Sequence, residues 1–208
     1  VIVNGKVQQF NFEYEESDKI NITILDTLNQ NLNQDNSLLS LNNSFSNKIH
    51  NILVKKNYSL KKPLIIYQIT NEKVSNTNIN FQLNFDLEES SSIKIVNFSE
   101  DNSEKNFINN LFNFNLDKNA ILKNYKIDKK NNTNIKYDYS SIIQKENSIS
   151  ETFIFSSGSD YVKNEVNCNL EGKYSSAFIN GIHLLSKNKH HEIRTKTNHL
   201  YENTKSYQ

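Results

Sequence analysis

The chain has 208 residues, a net charge of +1, 36% hydrophobic residues and a single cysteine. That length allows one or two domains with a real core, while the near-neutral charge gives nucleic acid and anionic membranes no electrostatic hold. One cysteine excludes an internal disulfide framework and suits a reducing compartment, so a cytoplasmic location is expected.

No stretch approaches the ~20 consecutive apolar residues that cross a bilayer, so neither nucleic acid nor membrane is expected as a partner. Asn, Lys and Ile dominate; Arg194 is the only arginine, Pro63 the only proline, and tryptophan is absent. Those preferences follow A- and T-rich codons and report genome bias rather than function. Large apolar residues still recur in short alternating groups, which argues against disorder. Methionine is absent, and Val1-Ile2-Val3 lacks the basic start of a signal peptide. The chain reads as an internal piece of a longer protein, cut at both ends.

Val1 to Val7 alternates as a short strand with a turn at Asn4-Gly5. Ile20 to Leu25 is a second alternating run. Leu28, Leu32, Leu38, Leu39, Leu41 and Phe45 then recur at spacings near three and four, the helical period, with Asp35 or Asn36 as N-cap. His50 to Val54 and Tyr58 to Ile69 return to strand. Pro63 stands at the entrance to the second of these, where a missing N–H is tolerated. Residues 1–77 thus read as a mixed α/β region with short helices.

From residue 78 the helical signal vanishes and a unit of strand, polar turn and strand repeats. Asn84–Ser90, Asn113–Asn119, Ser140–Glu146 and Asn167–Lys173 overlay on one another. The overlay aligns Leu87, Leu116, Ile143 and Leu170, spaced 29, 27 and 27 residues apart. Each unit leads into another alternating run: Ile93–Val96, Ile121–Tyr125, Ile149–Phe155 and Ala177–Ile182. A fixed period of this size means a repeat architecture, and all-strand units point to a β-solenoid over 78–208. In such a fold the four aligned residues form one inward apolar row, and Cys168 lies inside its coil. An antiparallel sandwich is the alternative, although its turns come every 8–12 residues rather than every 27.

Candidate chemistry is sparse. His183, His190, His191 and His199, with Glu192, are metal-ligating residue types, but their spacing is neither helical i, i+4 nor H-x-H. On a strand His190 and Glu192 face one side and His191 the other. Cys168 could act as a nucleophile or cluster ligand, but in an alternating strand it reads as a buried core residue. Gly158, Gly172 and Gly181 form no phosphate loop. Lys55-Lys56 and Lys129-Lys130 read as solvated faces. Arg194 with Glu192 and Glu202 is the one grouping that a carbohydrate-active solenoid could use. No catalytic, cofactor-binding or metal site is therefore assigned to the chain.

The stretch Lys163 to Gly172, then Asn180-Gly181-Ile182-His183-Leu184-Leu185, His190-x-Glu192, His199 and Ser206-Tyr207-Gln208, resembles the SufB/SufD family of iron–sulfur cluster assembly scaffolds. Upstream, Val3-Asn4-Gly5-Lys6, Leu41-Asn42-Asn43-Ser44-Phe45 and Leu60-Lys61-Lys62-Pro63-Leu64 are similar to its opening strand, helix and Pro-containing segment. The Asn-Gly and His-x-Glu segments fit the SufD branch better than the SufB branch. Lys163 departs from the family's arginine and Glu165 and Glu192 from its aspartates, while Arg194 and Asn203 stand where histidines are common.

The resemblance implies a right-handed parallel β-helix after a small N-terminal region. It also implies a non-catalytic role, with a SufB-like subunit and a SufC-like ATPase as partners. The cluster would be held transiently by the full complex, with none bound by the residues present here. The family's cluster-ligand histidine and ATPase-binding helices are expected beyond residue 208. A SufB-like paralogue, a carbohydrate-active solenoid and a surface adhesin are the alternatives.

Overall fold

The path of the backbone follows from hydrogen bonding between successive passes of the chain. The computed structural model describes residues 1–25, 36–46, 48–128 and 133–208. β1 (Ile2–Val3) and β2 (Lys6–Val7) form a hairpin, followed by β3 (Ile20–Leu25), α1 (Ser37–Phe45), β4 (Ile49–Val54) and β5 (Leu64–Thr70). Ten more strands follow: β6 (Asn78–Leu87), β7 (Ser92–Asp101), β8 (Phe107–Leu116), β9 (Ile121–Asp128), β10 (Ile135–Gln144), β11 (Ile149–Ser156), β12 (Tyr161–Leu170), β13 (Ser176–His183), β14 (His190–His199) and β15 (Lys205–Tyr207). Alternate strands join alternate sheets, in the orders β15-β13-β11-β9-β7-β5-β1-β2 and β14-β12-β10-β8-β6-β4-β3.

From β4 onward neighbouring strands run parallel. This is a β-solenoid of about five turns, not an antiparallel sandwich. Its first coil reaches back before residue 78, because β4 pairs with β6, β5 with β7, and β1 with β5. At that end the edges are closed by two antiparallel strands, β3 on β4 and β2 on β1, which removes a template for edge-to-edge association. The β1–β2 turn is Asn4-Gly5, both with positive φ, as a two-residue hairpin that follows sheet twist requires.

Inward residues stack in columns. Phe85, Phe114, Ile142, Cys168 and Thr197 form one, with the Phe85 and Phe114 rings stacked at 5.1 Å. The column expected to contain Ile143 differs from the sequence overlay. It runs Leu87, Leu116, Gln144, Leu170, His199, at intervals of 29, 28, 26 and 29 residues, and Ile143 faces outward beside Asn115 and Asn169. The overlay slipped by one because it sought an aliphatic residue where the fold places an amide. Gln144 is fully buried, yet its Nε2 donates to Ser148 O and Ser176 O, and its Oε1 accepts from Ser150 Oγ at 2.7 Å. A satisfied amide is tolerated where an unsatisfied one costs several kcal/mol.

The coil corners explain much of the asparagine. Asn57, Ser90, Asn119, Asn147, Tyr174 and Asn203 occupy equivalent corners, all with φ near +60°. Asparagine reaches this left-handed conformation more readily than most residues. Corner N–H groups also donate to the next coil, as from Asn119 N to Glu146 O and from Asn147 N to Lys173 O. Ion pairs run beside them: Lys56–Glu89, Lys118–Glu146, Lys145–Glu171 and Lys173–Glu202. Being exposed, each contributes about 0–1 kcal/mol, so they fix register more than stability. Lys55 and Lys56 thus belong to a solvated face, as their sequence context predicts; Lys129 and Lys130 lie outside the described residues.

Helix α1 covers part of the outer face of the seven-stranded sheet. Asn36 caps it, accepting from Leu38 N and Leu39 N. The predicted helical residues Leu28 and Leu32 lie outside the described residues. Leu39 packs against Leu111, Tyr137 and Tyr139. The buried Asn42 donates to Phe81 O at 3.2 Å and to Asn109 O at 2.7 Å, so a poor helix former is retained because it bonds the sheet. The register yields a direct comparison of neighbours. Ile142→Ala is expected to cost ~2–5 kcal/mol and Ile143→Ala less than about 1 kcal/mol. Urea unfolding of the two variants measures this, and the reverse order would contradict the register.

Candidate functional site

The histidine-rich rung is the first place to look for chemistry, and every imidazole in it that faces a neighbour is already engaged. His191 points inward in the column of Lys136 and Val162. Its Nδ1 accepts from Ser156 Oγ and its Nε2 donates to Ser159 O, both at 2.8 Å. His183 lies 5.9 Å from it, ring to ring, and burial followed by the His191 charge lowers the His183 pKa. His190 stacks on Tyr161 at 5.0 Å on the opposite face, as the strand parity predicts. His199 bonds Thr204 Oγ1 at 2.7 Å and Ser206 Oγ at 3.0 Å. Among the described residues no three His, Cys, Asp or Glu side chains are grouped to hold a metal.

The other candidates are likewise not assembled into a reaction centre. Cys168 is fully buried between the Ile142 and Thr197 positions of its column, and burial pushes its thiol up to about 12. Such a group carries little thiolate near neutrality. Arg194 reaches Glu165 at 3.6 Å, Glu202 pairs with Lys173, and Glu192 lies in register with Lys163. The acid–base grouping that a polysaccharide-active groove would need is therefore dispersed. Gly172 serves close packing, since a Cβ there would lie 2.0 Å from Glu146 N. No helix among the described residues is long and apolar enough to cross a membrane.

Three features escaped the sequence reading. One is an outward cluster beside the α1 cap: Asn36 Nδ2 donates to Tyr137 OH, the Tyr137 hydroxyl donates to Glu165, and Lys163 pairs with Glu165 at 3.1 Å. Burial opposes ionisation of Glu165, but the Tyr137 hydroxyl and Lys163 prevail and hold its pKa below the usual value. The second is a polar lumen at the coil end away from the Phe columns, where Lys126, Asp128, Lys136 and Asp138 are all buried. Their even numbering along β9 and β10 matches the inward parity of Leu122 and Ile142, which is the signal that would have found them.

The third is on the outer face of the eight-stranded sheet. Ile65, Val96, Tyr125 and Phe153 align in one row, and Tyr67, Phe98, Ile127, Phe155 and Ile182 in the next. Ile65 and Ile182 are exposed and the rest half-buried. A contiguous apolar stripe of this kind marks an interaction face more often than a solvated one. The arrangement is therefore suited to making contacts, with its one thiol sealed and its ionic groups enclosed.

Comparison with known families gives one match: the model described as "SUF system FeS cluster assembly, SufBD core domain" covers residues 67–208. No individually curated protein matches the chain. The matched span opens inside β5 and runs through all later coils. Burial of the thiol has a measurable consequence. Cys168 is expected to resist a water-soluble thiol reagent at pH 8 in the folded protein and to react fully in denaturant. Rapid labelling without unfolding would show that the coil interior is open.

Proposed function

The chain belongs to the SufBD core family of the SUF iron–sulfur cluster assembly system, and from that membership we propose that it is a SufD-like, non-catalytic scaffold subunit. It takes part in building iron–sulfur clusters by holding its partners, a SufB-like subunit and a SufC-like ATPase, in a fixed arrangement. The cluster is cargo of that complex, bound transiently and not by the side chains of these rungs. The working location is the cytoplasm.

One observation carries this reading: the matched segment is an unbroken stack of parallel coils in register. Such a stack transmits position rigidly, because each coil is hydrogen-bonded to its neighbours along both sheets. The outward apolar stripe supports a role through contacts. The sealed Cys168 and the locally bonded histidines support the absence of chemistry within these coils. The Asn180-Gly181 and His190-x-Glu192 segments favour the SufD branch.

Co-expression of the full-length protein with SufB-like and SufC-like subunits tests the proposal. Affinity capture of this chain is expected to recover both partners at fixed stoichiometry after gel filtration. Recovery of neither would overturn the scaffold assignment, and self-association replacing the SufB-like partner would overturn the SufD-like one.

A further inference from the structure

The polar end of the lumen holds charged groups that the scaffold role does not use. A cavity of about 10 Å³ is lined there by Asn97, Lys126, Asp128, Lys136, Asp138 and Ser156, among others. Lys136 is matched with Asp138, 3.7 Å away, and Asp138 also accepts from Asn110 Nδ2 at 2.7 Å. Lys126 Nζ, both oxygens of Asp128 and Asn97 Oδ1 are buried in the same place with no hydrogen-bonding partner in the protein. Asp128 has no room to turn away. Its carboxyl packs against the bare Cα of Gly158, where a Cβ would lie 2.3 Å from Oδ1.

Leaving several buried polar atoms unsatisfied costs roughly 1–3 kcal/mol each, so a ligand that answers all of them is strongly favoured. It must accept from Lys126 and donate to Asp128 and Asn97. A metal ion would meet two lysines, a simple anion two aspartates, and the cavity volume fits about one water molecule. We propose that this cavity is a binding site for a single internal water, bridging Lys126 Nζ, Asp128 and Asn97 Oδ1.

Ser156 Oγ, whose hydrogen goes to His191 Nδ1, offers a further acceptor. Because Asn97 lies on β7, Lys126 and Asp128 on β9, and Ser156 on β11, the water ties three successive coils together. Burial pushes the Lys126 ammonium below its ordinary range and the Asp128 carboxyl above its own, as expected of groups that take a neutral dipolar partner.

A crystal structure of the full chain at about 1.5 Å resolution tests the site. One spherical solvent peak is expected roughly 2.7–3.2 Å from Lys126 Nζ and from a carboxyl oxygen of Asp128, and it should persist in Asp128→Asn, which keeps an acceptor. Direct contact between Lys126 and Asp128 with no peak between them would overturn the proposal. So would a peak that scatters as a heavier ion, or one that vanishes in Asp128→Asn. Should crystals fail, water-proton relaxation dispersion reads the same site: a long-lived internal water signal weakened in Asn97→Leu supports it, and one unchanged in that variant contradicts it.

Discussion

Parallel pairing of each coil with the one before it is the constraint on which the rest of this structure depends. It places equivalent positions of successive coils one above another, so a residue type suited to one coil is suited to its neighbours. Phe85 over Phe114 is the apolar case, and Asn84 with Asn113 the polar one, joined at 2.9 Å. The same stacking aligns the left-handed corners and their ion pairs. Loss of register by one residue would turn every inward side chain outward, which is why a polar residue such as Gln144 is accommodated by new hydrogen bonds rather than by slippage.

The lumen is divided along each strand. Near the corners it is dry and packed with Leu and Phe; toward the far end it is lined with Lys, Asp and Asn. A packed apolar half supplies most of the stability, since each fully buried Leu or Phe contributes ~1.5–3 kcal/mol. The ionic half adds less net energy, because desolvation offsets attraction, and it favours one register by requiring specific partners. A scaffold benefits from both: a core that resists unfolding and polar contacts that resist sliding.

Much of this was legible in the sequence, for identifiable reasons. Asn4-Gly5 announced its hairpin, Asn36 its helix, and the alternation around Cys168 its burial. The repeat itself was visible because Leu87, Leu116 and Leu170 share a column. Ile143 misled because coil length varies from 26 to 29 residues and the true column member is an amide. The inclusion of β4 and β5 in the first coil was hidden by α1, whose helical period interrupts the strand pattern without interrupting the stack. The lumen charges were missed because Lys and Asp read as surface residues unless strand parity is followed through them. For the family, the short motifs around Asn167–Gly172 and Asn180–Leu185 pointed the same way as the match over residues 67–208.

Distances between spin labels on one outward column test the stacking most directly. In a Cys168→Ser background, pairs Asn113→Cys with Ser141→Cys and Asn113→Cys with Asn167→Cys sit one and two coils apart. Parallel in-register coils predict backbone separations of roughly 5 and 10 Å, read as strong dipolar broadening for the first pair and weaker broadening for the second. Separations that do not grow by a single strand spacing per coil would contradict the account.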